Sequence, residues 1–294
     1  MTSPYGVDSS KIVSLAESAR LVEDGAQLAI SGGMDMAPMA LVRETVRAGR
    51  RGLRLVCVGS SAIGADLLIG AGAATSVEFS QISLGEYGFA PHFRRAFEQG
   101  SVEGLEHACP TLLAALQAGA SGIPFMPVRG LIGTDYLTIR GDFRTVVNPY
   151  DERERIAVVP ALRPDVAFFH AYAADTLGNV WADPAQNNRL LAQASRRTIV
   201  TAEAIVTPER LREESARHGG AIVPSLYVTA VVHAPHGAHP TACPGRYPVD
   251  ASHVRAYVDA SRSGESFADY LRRYAGEADE DAYRVLVRVR VEAS

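Results

Sequence analysis

Apolar positions along the chain fall into short β-rich runs separated by stretches with helical spacing. Ile12, Leu15, Ala19 and Val22 form the stripe of a first helix, with caps offered by Asp8 to Ser10 and a stop at Gly25. Ala26 to Ser31 (AQLAIS) reads as a short buried strand, followed by Gly32 and Gly33. Pro38 then opens a helix, as proline can at a first helical position, with Met39, Val42 and Val46 on its apolar face and Gly49 after it. Leu53 to Val58 (LRLVCV) is a second apolar strand, running into Gly59-Ser60-Ser61 and another helix, and Thr75 to Ser80 is a third. Residues 122–155 are rich in Gly and Pro and poor in helical periodicity, so they predict a long excursion of short strands and loops over the sheet. The alternation then resumes, with strands at Arg155 to Leu162, Asp165 to His170 and Thr198 to Ala202, and helices at Ala185 to Arg196 and Pro208 to Arg217. Ala221 to Ala234 is a long strand-like run broken by Pro224. Two helices, Ser252 to Ser261 and Ser266 to Tyr274, close the fold. Val285 to Val291 alternates like a strand but follows a helix-forming stretch, and the pattern leaves it open. Strand–helix alternation of this kind predicts an α/β fold, an open, mostly parallel sheet with helices on both faces. No repeat, low-complexity tract or linker divides residues 1–294, and one domain with a core over about residues 10–290 is the simplest organisation.

Composition narrows the class. Of 294 residues, 47% are apolar and 21% charged, which excludes wholesale disorder. A net charge of −4 argues against a general nucleic-acid or anionic-membrane binder. Among 29 basic residues Lys11 is the sole lysine, a bias read as genomic rather than functional. Cys57, Cys109 and Cys243 lie far apart without a CxxC pair, as expected for reduced thiols in a cytoplasmic protein. No apolar stretch of about 18 residues is present to span a membrane, and the N-terminus lacks the pattern of a secretory signal.

In an open α/β sheet, ligands bind beyond the carboxyl ends of the strands, near a switch in strand order. Three loops have the glycines that let a ligand approach the backbone closely: Ser31-Gly32-Gly33-Met34-Asp35, Gly59-Ser60-Ser61, and Ser83-Leu84-Gly85-Glu86-Tyr87-Gly88. The first lacks GxGxxG spacing and has no P-loop lysine, and each glycine pair also fits a plain strand–helix turn. Glu86 is a carboxylate between two glycines in an apolar segment, suited to acid–base or nucleophilic work if partly buried, or to a structural role capping backbone amides or pairing with Arg94 or Arg95. His233, His236 and His239 invite a metal reading, but Pro235, Gly237 and Pro240 break any regular face, no Asp or Glu to orient ligands lies nearby in sequence, and a turn is the better reading. No GxSxG elbow supports a triad hydrolase. Arg129, Thr134 and Asp135 form a polar cluster on the excursion that either lines a site or ties down a loop.

Taken together, KIVSLAESARLVEDGAQLAISGGMDMAPMALVRE, SLGEYGFAPHFRRAFEQG, GIPFMPVRGLIGTD, ALRPDVAFFHAYAADTLGNV and VVHAPHGAHPT resemble the alpha (A) subunit of family I CoA-transferases, most of all the glutaconate CoA-transferase alpha branch. The resemblance runs from about Ser10 to about Tyr247 and rests on the order and spacing of the pieces. It implies an enzyme that moves CoA between an acyl-CoA and a carboxylic acid, with a CoA thioester as substrate and no permanently bound cofactor or metal. It also implies that the attacking glutamate, which becomes a glutamyl-CoA thioester, lies on a homologous beta subunit in a heterodimer or larger assembly such as α2β2. This chain would then supply half a site, with Gly32, Gly33, Ser60, Ser83, Glu86 and Arg129 as candidate contacts, and Arg129 or a loop of backbone N–H groups available for a second substrate carboxylate. Two departures bear on this. The first loop reads GGMDM where a GGFG-like form is usual. Related ring-opening β-diketone hydrolases use an alpha-subunit glutamate where this chain has Cys109, with Glu106 three residues earlier. A hydrolase of the same fold is the alternative function, and a non-catalytic ligand-binding protein is a third reading.

Overall fold

A computed structural model describes residues 11–276 and 279–287. Its largest feature is a seven-stranded sheet in the order Ala230–His233, Arg197–Ala202, Val166–Ala171, Gln27–Ser31, Leu53–Val58, Ala74–Phe79, Glu103–Glu106. All six neighbouring pairs run parallel. The first strand, Gln27–Ser31, sits mid-sheet. Successive strands step outward on one side of it, and Val166–Ala171 later returns to pair on the other. Strand order therefore switches between these two strands, where ligands of open α/β sheets bind beyond the carboxyl ends.

Both faces of the sheet are covered, as the near-continuous apolar runs require. Leu28, Ile30, Leu55, Val166 and Phe168 face one side and pack with the helices Met39–Arg47, Ala62–Gly70, Ala251–Ala260 and Gly264–Leu271. The alternate residues Ala29, Val56, Val58 and Ala167 face the other, against Leu112, Ala115 and Leu116 of the Cys109–Ser121 helix and Leu191 of the Asn188–Ala194 helix. Ala157, Val159, Leu131 and Phe143 of the excursion share that second core.

The excursion is real, but one of its strands extends further than the sequence pattern suggests. The run at Arg155 to Leu162 belongs to Asp151–Pro160, the middle strand of an antiparallel sheet with Phe125–Val128 and Arg144–Asn148. It does not join the parallel sheet. The run at Ala221 to Ala234 is likewise two strands in different sheets. Ala221–Val223 pairs with Val180–Ala182, and Ala230–His233 forms the edge of the main sheet. Pro224 and a short 3-10 turn at Ser225–Tyr227 separate them. The first helix is shorter than its stripe and spans Leu15–Ala19. Ser14 caps it: its hydroxyl accepts from Glu17 N, and Glu17 accepts in return from Ser14 N. Asp8 to Ser10, the expected caps, lie outside the described residues. Val285 and Leu286 end a helix, Glu280–Leu286, Val287 caps it, and residues 288–291 of the run also lie outside. Among the described residues no helix is long and apolar enough to cross a membrane.

Candidate functional site

The three glycine loops meet at the carboxyl edge of the sheet. Gly32 has φ +108, and a Cβ there would come within 2.6 Å of Met36 O and Ala37 Cα, so only glycine fits. A methyl group on Gly33 would overlap Ser60 Oγ, which places the second loop directly on the first. Met34 Cγ would lie 3.6 Å from a Cβ on Gly85, which sets the third loop beside them. The first loop is fastened from behind by the 236–242 turn: Met36 N donates to Ala242 O at 2.8 Å and Ala242 N to Met34 O at 2.9 Å. Ser61 Oγ donates to Ile30 O at 2.7 Å, locking the second loop to the first strand.

Between the first two loops and residues 185–187 lies a cleft of about 180 Å³ lined by Ser31, Gly33, Asp35, Ser60, Gln186 and Asn187, among others. Ser31 Oγ donates to Gln186 Oε1 at 3.0 Å, and Gln186 Nε2 donates to Asp35 O at 3.4 Å. Asp35 is exposed at the mouth. Partial burial and then the charge of Asp183 hold its carboxyl above the usual aspartate value. Asp183 itself is buried and accepts from Tyr172 OH and Ala185 N, each at 2.7 Å. Sequence reasoning quoted Asp35 within its loop without assigning it a role, and it missed Gln186 and Asp183. Gln186 is 155 residues from Ser31, and no local signal brings them together.

Residues 12–234 match the family model described as Coenzyme A transferase. The chain belongs to the coenzyme A transferase family. The alpha-type (A) subunit of the 3-oxoadipate CoA-transferase of Pseudomonas knackmussii is 32% identical over 90% of this chain and 93% of its own length. The crystal structure of glutaconate coenzyme A-transferase from Acidaminococcus fermentans superposes with a TM-score of 0.87 at 27% identity, over 95% of this chain and 93% of that one. The cholesterol ring-cleaving hydrolase IpdA subunit of Mycobacterium tuberculosis is 31% identical over 92% of this chain and 95% of its own. The resemblance read from the sequence motifs, to the alpha-type half of these enzymes and to the glutaconate branch, therefore holds at the level of the whole chain.

In this transferase-family chain the other predicted residues are not gathered at that cleft. Ser83 Oγ accepts from Gly85 N at 3.1 Å and shapes the third loop. Glu86 is exposed on a one-turn 3-10 helix, Gly85–Tyr87, rather than buried. It lines a separate cleft of about 540 Å³ with Tyr87, Arg255 and Arg262. Neither expected arginine holds it: Arg94 pairs with Glu98 at 2.9 Å, and Arg95 contacts His92 Nδ1 at 3.0 Å. Arg129 is 84% exposed on the excursion, 3.2 Å from Glu154, and is not among the residues lining the central cleft. Thr134 Oγ1 donates to Leu131 O at 2.8 Å, which ties down its loop. Asp135 O accepts from Thr138 N and Ile139 N at the start of a short helix. The three histidines of the HAPHGAH stretch diverge. His233 is exposed, His236 stacks on Tyr247 with centroids 4.6 Å apart, and His239 is buried against Tyr283 OH at 2.8 Å and Asp250 at 3.1 Å. Cys57 is buried, its thiol pushed up to about 12 by burial, whereas Cys109 is exposed at the start of its helix. Glu106 ends the edge strand and accepts from Tyr136 OH at 3.4 Å.

Two buried polar clusters flank the cleft on the same strand edge. In one, His107 Nε2 lies 2.6 Å from Glu78 Oε1, which also accepts from Arg140 at 3.0 Å, and Arg140 donates on to Asp142 and to Glu106 O. This cluster pins the excursion to the sheet. In the other, Glu203 accepts from Tyr247 OH at 2.6 Å and from His236 N at 2.9 Å, and lies 2.8 Å from His170 Nε2. Burial alone would raise the Glu203 carboxyl, but the hydrogen bond and charge of His170, with the other two donors, hold it at about 2. Cys243 lies close enough to His170 and Glu203 for the three to share a cation. The donors are already spent: His170 Nδ1 is 2.8 Å from Thr201 Oγ1, both Glu203 oxygens are engaged, and burial pushes the Cys243 thiol far up.

Proposed function

We propose that this chain is the alpha half of a two-part CoA-transferase that moves CoA between an acyl-CoA and a carboxylic acid in the cytoplasm. The observation that carries this reading is the glycine-lined cleft at the switch in strand order, in a chain of the coenzyme A transferase family, with no glutamate among the residues that line it. The chain acts as one domain. Gly32, Gly33, Ser60 and Ser83 hold the acyl-CoA thioester, Glu86 assists from the third loop, and Arg129 stands further out on the excursion. The cleft offers the Asp35 carboxylate but no glutamate, and in this reading the attacking glutamate comes from a homologous beta subunit. Attack by its carboxylate on the thioester carbonyl expels CoA thiolate and leaves an acyl-glutamyl anhydride. CoA thiolate then attacks the glutamyl carbonyl and releases the first acid, leaving a glutamyl-CoA thioester that the second acid takes over by the reverse steps. CoA enters as substrate, with no resident cofactor or metal.

The test is co-purification with a beta-type partner, then acyl-CoA/acid exchange by the complex and by each chain alone. Exchange by the complex only, with hydroxylamine trapping on a partner glutamate, is the expected result. A stable monomer that ignores the partner, or a trapped adduct on Glu86 or Glu106, overturns it. One observation favours a second reading, a ring-opening hydrolase: Glu106 stands at the carboxyl end of the edge strand with Tyr136 OH on it and exposed Cys109 nearby. Release of free acid and CoA without an acceptor acid, abolished by Glu106→Gln, would select that reading.

A further inference from the structure

The central cleft is electrostatically one-sided. Asp35 is the one ionisable residue among those that line it; the rest are glycine, serine, amide and small apolar groups. Its carboxylate oxygen Oδ1 sits 3.8 Å from where a Gly33 Cβ would be, so the charge stands beside the glycine floor at the mouth of the cleft. The Asp35 carbonyl accepts from Gln186 Nε2, and its loop is bonded on both sides of the aspartate to Ala242, so the residue cannot swing away freely. A second carboxylate, Asp183, held in place by Tyr172 OH and Ala185 N, acts on Asp35 as a like charge. Arg246, which lines the adjoining groove with Asp35, directs its guanidinium to Tyr172 O at 3.1 Å. Arg129, the cation that could meet a second substrate carboxylate, pairs with Glu154 on the excursion.

Resting on the reading of this cleft as the acyl site, we infer that Asp35 is a specificity-determining residue that selects acyl groups without a distal carboxylate, uncharged or hydroxylated, and rejects dicarboxylic ones. A carboxylate at the far end of an acyl chain would enter a cleft whose lining holds the Asp35 carboxylate and no cation, and like charges disfavour binding. A hydroxyl or plain methyl end meets no such penalty, and a hydroxyl could donate to Asp35.

The experiment uses the full chain in complex with its partner. It compares kcat/KM for butyryl-CoA and glutaryl-CoA as donors to acetate, in the wild type and in Asp35→Asn, Asp35→Ser and Asp35→Glu. The wild type should favour butyryl-CoA. Asp35→Asn and Asp35→Ser should each raise the glutaryl/butyryl ratio by about tenfold or more, mainly through KM, and Asp35→Glu should keep the original preference. A wild type that favours glutaryl-CoA, or neutral variants that fold and leave the ratio unchanged, overturns the inference. If the complex transfers no CoA, the transferase reading fails separately. The same ratio is then taken from the Kd values of the two thioesters by calorimetry, and binding of neither, or an unmoved ratio, overturns the inference as well.

Discussion

The central cleft and the Glu203 cluster stand on neighbouring strands of one sheet, at the same edge, and both are rich in hydrogen-bonding groups. They differ in what those groups are bonded to. Glu203 is buried, and His170, Tyr247 and the His236 amide all bond its carboxylate. Asp35 is exposed at a cleft mouth, and the charge that acts on it is a like one, Asp183. The satisfied cluster fastens the last strands and the 236–242 turn together, and that turn in turn fastens the first glycine loop. A position at the ligand-binding edge of an α/β sheet is therefore shared by structural and functional groups, and the partners of each group separate them.

The comparison breaks most visibly at Glu203. In Glu203→Gln one oxygen becomes an NH2 that must face a donor, either the His236 amide or the His170–Tyr247 side. A loss of about 3 kcal/mol is expected, read as a melting temperature lower by roughly 6–10 °C, with turnover per folded complex retained. Loss of turnover without loss of stability would move Glu203 into the functional class. Glu86→Gln should do the opposite. The side chain is exposed, so melting should not move, while the complex loses about 10²-fold in turnover, the scale of a lost acid–base group. Unchanged turnover would return Glu86 to a structural role.

A finer probe is Gly33→Ala. Its methyl meets the end of the Ser60 side chain, which can rotate, so the fold should survive and activity fall about tenfold as the hydroxyl leaves its place. Adding Ser60→Ala should relieve the overlap without restoring activity; full recovery would show that Ser60 plays no part. The smallest effect is that of pH on the buried side of the comparison. Burial lowers His92 to about 4, His239 to about 4 and His253 to about 3. Each binds a proton more weakly folded than unfolded, so their contribution is complete above about pH 6.5 and is lost as pH falls toward 4 and 3. Asp66, raised to about 6 by burial, works in the opposite sense over part of that window. Three groups against one should give a melting temperature that declines by a few degrees from pH 6.5 to 4.5, measured by scanning calorimetry. A rise over that range would mean that the carboxyls dominate.

Local chemistry made much of this protein legible from the chain alone. The parallel strands follow from short apolar runs separated by helical periodicity. The excursion follows from its glycines and prolines, and the three glycine loops from strand-to-helix turns that require them. Gly32 must be glycine because its backbone leaves no room for a side chain, and that demand is local. Errors arose where neighbours in sequence part in space. Pro224 marked a break in an apolar run without revealing that its halves join different sheets, because burial looks alike on either side. Glu86 sits in an apolar segment that left its burial open, and it stands exposed on a 3-10 turn. Only the tertiary structure could bring Gln186 to Ser31, the charge of Asp183 to bear on Asp35, and His170 and Tyr247 to Glu203. These pairings depend on strand order and loop closure over long separations, which periodicity does not encode. The sequence determined which segments form strands, helices and tight glycine turns, because those are local demands of backbone and burial. Tertiary structure decided which polar groups are spent on one another and which remain open to a ligand.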